Sequence, residues 1–211
     1  MRLKLLFFAL GLVLFSYGIA VAIKVQYLGI HPWDVLNIAF FEKFGLTIGV
    51  WNLIVGLLLV LVSLVVDRQY IRIGTLINAL SVGPMIDLFL FIDIFPASSS
   101  TVMDVIVLLT GIILMGIGGG MYSAAGFGAG PRDGLMLSLS DKLGYSISKT
   151  RIAVESMVLM MGLLLGGPVF VFTFIYTFIQ SPIFQLSFVK VNRFLKGISE
   201  VDQTNEKAKS L

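Results

Sequence analysis

The chain contains no cysteine and a single histidine, His31. These absences exclude disulfides, a thiolate metal site and a cysteine nucleophile. They also leave no imidazole cluster for a transition metal, so neither a metal nor a cofactor is expected. Charge is scarce as well. Asp, Glu, Lys and Arg make up 13% of the 211 residues, against about 25% in a typical soluble domain. With 57% hydrophobic residues and a mean hydropathy of +0.99, too little polar surface exists to enclose one water-facing core. The solvent must be largely lipid. In a soluble chain a pI near 9.2 would raise nucleic-acid binding. Here no basic cluster is interleaved with surface aromatics, which sets that partner aside.

What the chain does have is long apolar runs. A helix needs about 20 mostly apolar residues to cross a bilayer, because backbone groups in lipid must bond within their own segment. Six stretches meet that demand, near Leu5–Ile23, Ile48–Val66, Ile73–Ile92, Val105–Met121, Ile152–Leu165 and Val169–Val189. The fifth extends to full length only if Glu155 lies within it, and Gly166-Gly167-Pro168 marks a tight turn before the sixth. The first stretch, with Arg2 and Lys4 before it, is read as a retained span because it is long for a cleaved signal and recurs in the second half. With the N-terminus inside and six crossings, thirteen of the 15 basic residues fall inside; Lys24 and Lys43 fall outside. That bias places both termini in the cytoplasm. From about Gly197 the chain turns polar and is expected to form an unstructured cytoplasmic end.

Self-similarity is the next signal. Leu28–Leu36 (LGIHPWDVL) aligns with Phe127–Leu135 (FGAGPRDGL) at an offset of 99, matching Gly29, Pro32, Asp34 and Leu36 with Gly128, Pro131, Asp133 and Leu135. Gly11 and Gly18 match Gly111 and Gly118 with a one-residue shift, and Thr75 and Pro84 match Thr173 and Pro182 with another. Each copy holds three spans, an odd number, so the copies enter the membrane from opposite sides, as in many transporters. The expected organisation is an all-α polytopic bundle: a first repeat over 1–101, a second over 102–196 and a tail over 197–211.

The paired P-x-D motifs, Pro32/Asp34 and Pro131/Asp133, follow glycine-rich approaches and precede short helical patterns. Proline at the first helical position and aspartate near the positive end of the helix dipole suit a capped interfacial helix. The same pattern suits two segments that dip into the membrane from opposite faces and meet near its middle, where irregular backbone is tolerated only inside protein or along a cavity. Arg132 lies within the second motif. Glu155 follows Arg151 by one helical turn, so the two can pair on one face. They read either as a pathway carboxylate with its partner or as an interfacial pair with Arg151 reaching outward. Asp87 sits one turn after Pro84, near the outer end of its span. Asn52, Asn78, Thr75 and Ser81 are polar within spans and suit helix–helix bonding. The glycine run Gly116–Gly130 lacks the strand and the lysine-serine ending of a phosphate loop, and a lone histidine beside the outer interface builds no catalytic triad.

The motifs GIHPWD (Gly29–Asp34), GTLINALSVGPMID (Gly74–Asp87), GAGPRDGLMLSLS (Gly128–Ser140), TRIAVE (Thr150–Glu155) and LLGGP (Leu164–Pro168) closely resemble the bacterial YczE/YitT membrane-protein family, nearer to its YczE branch, up to about Val189. The resemblance implies a bacterial inner-membrane protein with several spans and no settled activity, some members looking like accessory factors of secondary metabolism. The family pattern implies G-T and G-P in the last span, where Phe172-Thr173 and Ser181-Pro182 stand. The YitT branch also carries a soluble C-terminal domain, for which only a short polar tail is present here. Together these readings point to a non-enzymatic small-solute transporter or channel-like protein. Its pathway would be lined by the two P-x-D segments and Glu155. The rival is an accessory or regulatory protein acting through a protein partner, marked by an exposed patch from Arg132 to Arg151. The expected partners are the lipid bilayer and a small solute or ion, with self-association left open.

Overall fold

A computed structural model of the protein describes residues 2–94 and 101–209, with side chains as far as Ile198. Among the described residues the fold is wholly helical. The α-helices are α1 (Arg2–Lys24), α2 (Pro32–Phe44), α3 (Ile48–Val66), α4 (Ile73–Ile92), α5 (Thr101–Ala124), α6 (Pro131–Leu143), α7 (Ile147–Leu164) and α8 (Val171–Lys209), with a single 3-10 turn at Gln26–Leu28. Local chemistry sets the starts. The Thr47 hydroxyl accepts from Val50 N–H (3.1 Å) to open α3, and the Ser146 hydroxyl accepts from Lys149 N–H (3.3 Å) to open α7. Each bond satisfies a backbone donor that has no partner inside the helix.

By length and composition five helices, α1, α3, α4, α5 and α8, can cross a membrane. The sixth expected span, α7, has 18 residues but carries Lys149, Arg151 and Glu155, and composition alone leaves it out. Arg151 and Glu155 are buried. Their charges meet protein rather than lipid, which is the condition under which a membrane helix tolerates them. The end expected to be unstructured from Gly197 continues the α8 backbone to Lys209. Extending a formed helix needs no new nucleus, and the segment has no proline. Side chains beyond Ile198, including Lys207 and Lys209, lie outside the described residues.

Helices α1 and α5 form the axis. Over their spans 61% and 50% of residues are buried, against 33% for α3, α4 and α8. They cross antiparallel through glycines. A Cβ on Gly11 would stand 2.8 Å from Gly118 O, and one on Gly18 would stand 2.8 Å from Gly111 O. Only hydrogen at these positions lets the backbones approach so closely. The other neighbours come in matched sets: α4 packs on α1 and α8 on α5; α3 on α4 and α7 on α8; α2 on α7 and α6 on α3. The outer faces are apolar and open, with Leu58, Leu61, Val65, Leu80, Met160, Phe174, Phe178 and Leu186 all exposed. These faces contact the lipid bilayer.

Candidate functional site

The centre of the bundle is built by the two short helices. Each has 13 residues, about 20 Å of helix at 1.5 Å per residue, too short to span a bilayer core. Both start with proline at the first position and an aspartate two residues on. His31 caps α2, its Nδ1 accepting from Trp33 N–H (3.3 Å). Gly130 holds the same place before α6 without a side chain. The Arg132 side chain links the first turns of α2 and α6 in the interior. Arg132 Nη1 is 3.6 Å from Asp34 Oδ1, and its guanidinium lies 5.3 Å from the Trp33 ring centroid. Asp34 is 1% exposed and Asp133 3%.

Helix α7 supplies the second half of the centre. Arg151 Nη1 donates to Asp133 Oδ1 (2.5 Å), and Nη2 donates to Glu155 Oε1 (3.0 Å) and Gln180 Oε1 (3.4 Å). Its guanidinium also lies 4.4 Å from the Phe184 ring centroid. Glu155 Oε2 accepts from the Thr177 hydroxyl (2.6 Å), and His31 Nε2 stands 3.3 Å from Oε1. The Tyr122 hydroxyl donates to Asp133 Oδ2. The expected i, i+4 pair of Arg151 and Glu155 is present, but Arg151 is interior and does not reach outward. His31, placed by the sequence beside the outer interface, is 2% exposed and belongs to this centre. Pro32 and Pro131 are buried at the helix starts.

Asp87 stands apart. Its carboxylate accepts from the Thr47 hydroxyl (2.7 Å) and Gly49 N–H (3.1 Å), bracing the start of α3 against α4. Thr75 likewise serves the backbone, accepting from Arg72 N–H (3.1 Å); Thr173 accepts from Phe170 N–H and from Ile30 N–H, each at 3.2 Å. Where the family pattern implies close approach at Phe172, the missing side chain is on the facing residue. A Cβ on Gly29 would lie 2.4 Å from Thr173 N.

Two spaces flank the α6 start. An interior cavity of about 20 Å³, room for one water, is lined by Asn52, Asn78, Tyr122, Pro131, Arg132 and Asp133 among others. A more open recess of about 190 Å³ is lined by Tyr70, Arg72, Ser123, Gly128, Ala129 and Asn192 among others. The strip Gly128–Pro131 separates the two. At the rim of the recess, burial and the hydrogen bond to Asp141 (2.5 Å) push the Tyr70 hydroxyl up to about 12.

The sequence singled out Asp34, Arg132, Asp133, Arg151 and Glu155, and these five converge. It missed His31 as a cap, and Tyr122, Thr177 and Gln180 as partners. A polar side chain inside an apolar run was the available signal for the last two, but hydropathy does not say which face it occupies.

This fold and centre define a polytopic helical membrane protein with acidic and basic side chains in its interior. The chain belongs to the family described as a family of unknown function, DUF6198, whose model matches residues 2–188. It is 38% identical over 167 residues to the uncharacterized membrane protein YczE of Bacillus subtilis strain 168, covering 79% of this chain and 77% of that protein. It is 27% identical to the uncharacterized protein YyaS of the same strain, covering 79% of this chain and 83% of that one. An uncharacterized protein of Haemophilus influenzae is 32% identical over 79% of this chain and 74% of its own length. No solved structure matches the chain at a significant level.

Proposed function

We propose that the protein is a small-solute transporter or channel-like protein of the bacterial inner membrane, with both termini cytoplasmic and its pathway at the interface of two inverted repeats. One observation carries the reading. Three carboxylates and two guanidiniums, all buried, meet around the first turns of two half-length helices. Ionised groups inside a membrane protein are costly and by default mark solute or ion pathways. Half-helices whose positive ends point to the middle of the bilayer are a recurrent device of transporters. The antiparallel crossing of α1 on α5 through matched glycines, and the matched helix neighbours, support the inverted repeat. Thirteen of 15 basic residues on one side support the orientation. The reading includes no chemical step on the solute.

The accessory-protein reading called for an exposed apolar or charged patch around Arg132 to Arg151. The two arginines are interior, while Asp141–Ser146 and Lys149 between them are exposed, so a contact surface for a partner is present and this second reading stands beside the first. The test is flux of a panel of small polar solutes and ions into proteoliposomes, with Asp34→Asn and Asp133→Asn as controls. The reading expects flux that either change abolishes. Flux untouched by both would sink it.

A further inference from the structure

Arg72, Arg193 and Lys196 take no part in the central cluster. All three are exposed, and none forms an ion pair among the described residues. They border two spaces at the end of the bundle where α4 begins and α5 ends. The recess of about 190 Å³ has Arg72, Ser123 and Asn192 on its wall, and exceeds tenfold the ~10–15 Å³ that one water needs. A groove of about 440 Å³ follows α8, lined by Val189, Asn192, Arg193, Lys196 and Gly197 among the described residues. Asn192 borders both, so the two adjoin. Arg72 is held at the recess: its Nη1 donates to Gly126 O (3.2 Å), which leaves the rest of the guanidinium fork available. A Cβ on Gly128 would stand 2.9 Å from Arg72 Cβ, so the glycine lets the arginine lie this close. Ser123 is 8% exposed, and its hydroxyl has no hydrogen-bond partner. A buried polar group left so is an exception that calls for a cause. The nearby carboxylates are engaged elsewhere. Asp141 accepts from the Tyr70 hydroxyl (2.5 Å) and Asp67 from Gln69 N–H (2.9 Å), and neither is on the recess wall.

Charge and apolar surface together fix the class of ligand. Basic donors without acidic partners call for an anion, and the planar arginine fork matches phosphate oxygens. The face of α8 that carries Arg193 is apolar one to two turns earlier, where Leu186 and Val189 are exposed. A helix face that passes from apolar to basic in this way marks the level where acyl chains give way to headgroups. We propose that the recess and groove bind the headgroup of an anionic phospholipid. Arg72 holds the phosphate at the recess, and Arg193 and Lys196 add attraction along the groove. The Ser123 hydroxyl and the Asn192 amide serve the headgroup hydroxyls, and the acyl chains lie on Leu186 and Val189. An amine-bearing headgroup would find no carboxylate on either wall among the described residues. The proposal needs no pathway through the centre, so the outcome of the flux test leaves it standing either way.

The test is thermal unfolding of the full chain, purified and delipidated in a neutral detergent, with phosphatidylglycerol, phosphatidylcholine or glycerol 3-phosphate added. Phosphatidylglycerol is expected to raise Tm saturably, and the other two are not. Arg72→Gln, and separately Arg193→Gln with Lys196→Gln, are expected to raise the half-saturating lipid concentration about fivefold per charge removed. Lys149→Gln removes an exposed charge that borders neither space and should leave that concentration unchanged. If Arg72→Gln does not fold, the α8 variants decide. An equal rise with phosphatidylcholine means general solvation by lipid, and an equal rise with glycerol 3-phosphate means a soluble-phosphate site. A loss in Lys149→Gln as large as in the α8 variants means diffuse attraction to the whole face. Each of these results overturns the proposal, as does no rise with phosphatidylglycerol.

Discussion

Replacing Arg151 with methionine removes the residue that ties α7 to α6 and α8. The side chain is 3% exposed and donates to Asp133 at 2.5 Å and Glu155 at 3.0 Å. Hydrogen bonds to charged groups contribute about 1.5–3 kcal/mol each, so two of them put the loss at about 3–6 kcal/mol. That range agrees with the ~3–5 kcal/mol typical of a buried pair broken from one side, where the surviving charge is left uncompensated. Here two carboxylates would be left. The unfolding midpoint of the purified protein in a detergent–denaturant titration measures this. Adding Asp133→Asn and Glu155→Gln to Arg151→Met removes the stranded charges and should recover most of the loss. If Arg151→Met alone costs under about 1 kcal/mol, water already solvates the centre and the reasoning about a desolvated cluster fails.

Three further outcomes follow from named contacts. A Cβ on Gly118 would stand 2.6 Å from Phe15 N and 2.7 Å from Gly11 O, so Gly118→Ala should cost ~1–3 kcal/mol by overpacking the α1–α5 crossing. Gly197→Ala, with nothing within 4 Å, should cost nothing in the same denaturant titration. His31→Ala loses the cap of α2 and should cost ~1–2 kcal/mol, whereas His31→Asn keeps a side-chain acceptor there and should recover most of it, as thermal unfolding would report. Asp87→Ala should cost ~1–3 kcal/mol through the unmet Thr47 and Gly49 donors and leave flux per folded molecule unchanged, because its carboxylate bonds Thr47 and Gly49 and none of the central charged groups.

The spans and the two short helices were legible because their signals are local. Apolar length gives α1, α3, α4, α5 and α8, and proline followed by aspartate marks the starts of α2 and α6. The 99-residue offset anticipated that Gly11 and Gly18 have counterparts, but not that they would pack against those counterparts. That depends on an antiparallel crossing that no single segment encodes. Arg151 was legible as a partner of Glu155, one turn away, but not as the partner of Asp133, 18 residues earlier on another helix. Asp87 and Asp34 look alike in sequence, each an aspartate near a proline. Only the fold separates a brace at the start of α3 from a carboxylate in the interior. Misplacing His31 has the same origin. A histidine before a proline reads as a loop residue, and the loop carries it inward because Gly29 lets the backbone press against Thr173.

The central claim is that the charged centre is reached from both sides of the membrane. The natural lack of cysteine makes the native chain its own background for labelling. Asn52→Cys places a thiol on the wall of the inner cavity, beside Arg132. Membrane-impermeant thiol reagents applied to right-side-out and inside-out vesicles then read its accessibility, with Val65→Cys as an exposed apolar control. The account predicts modification of position 52 from both faces. Modification from neither face, or from one face only, would contradict it.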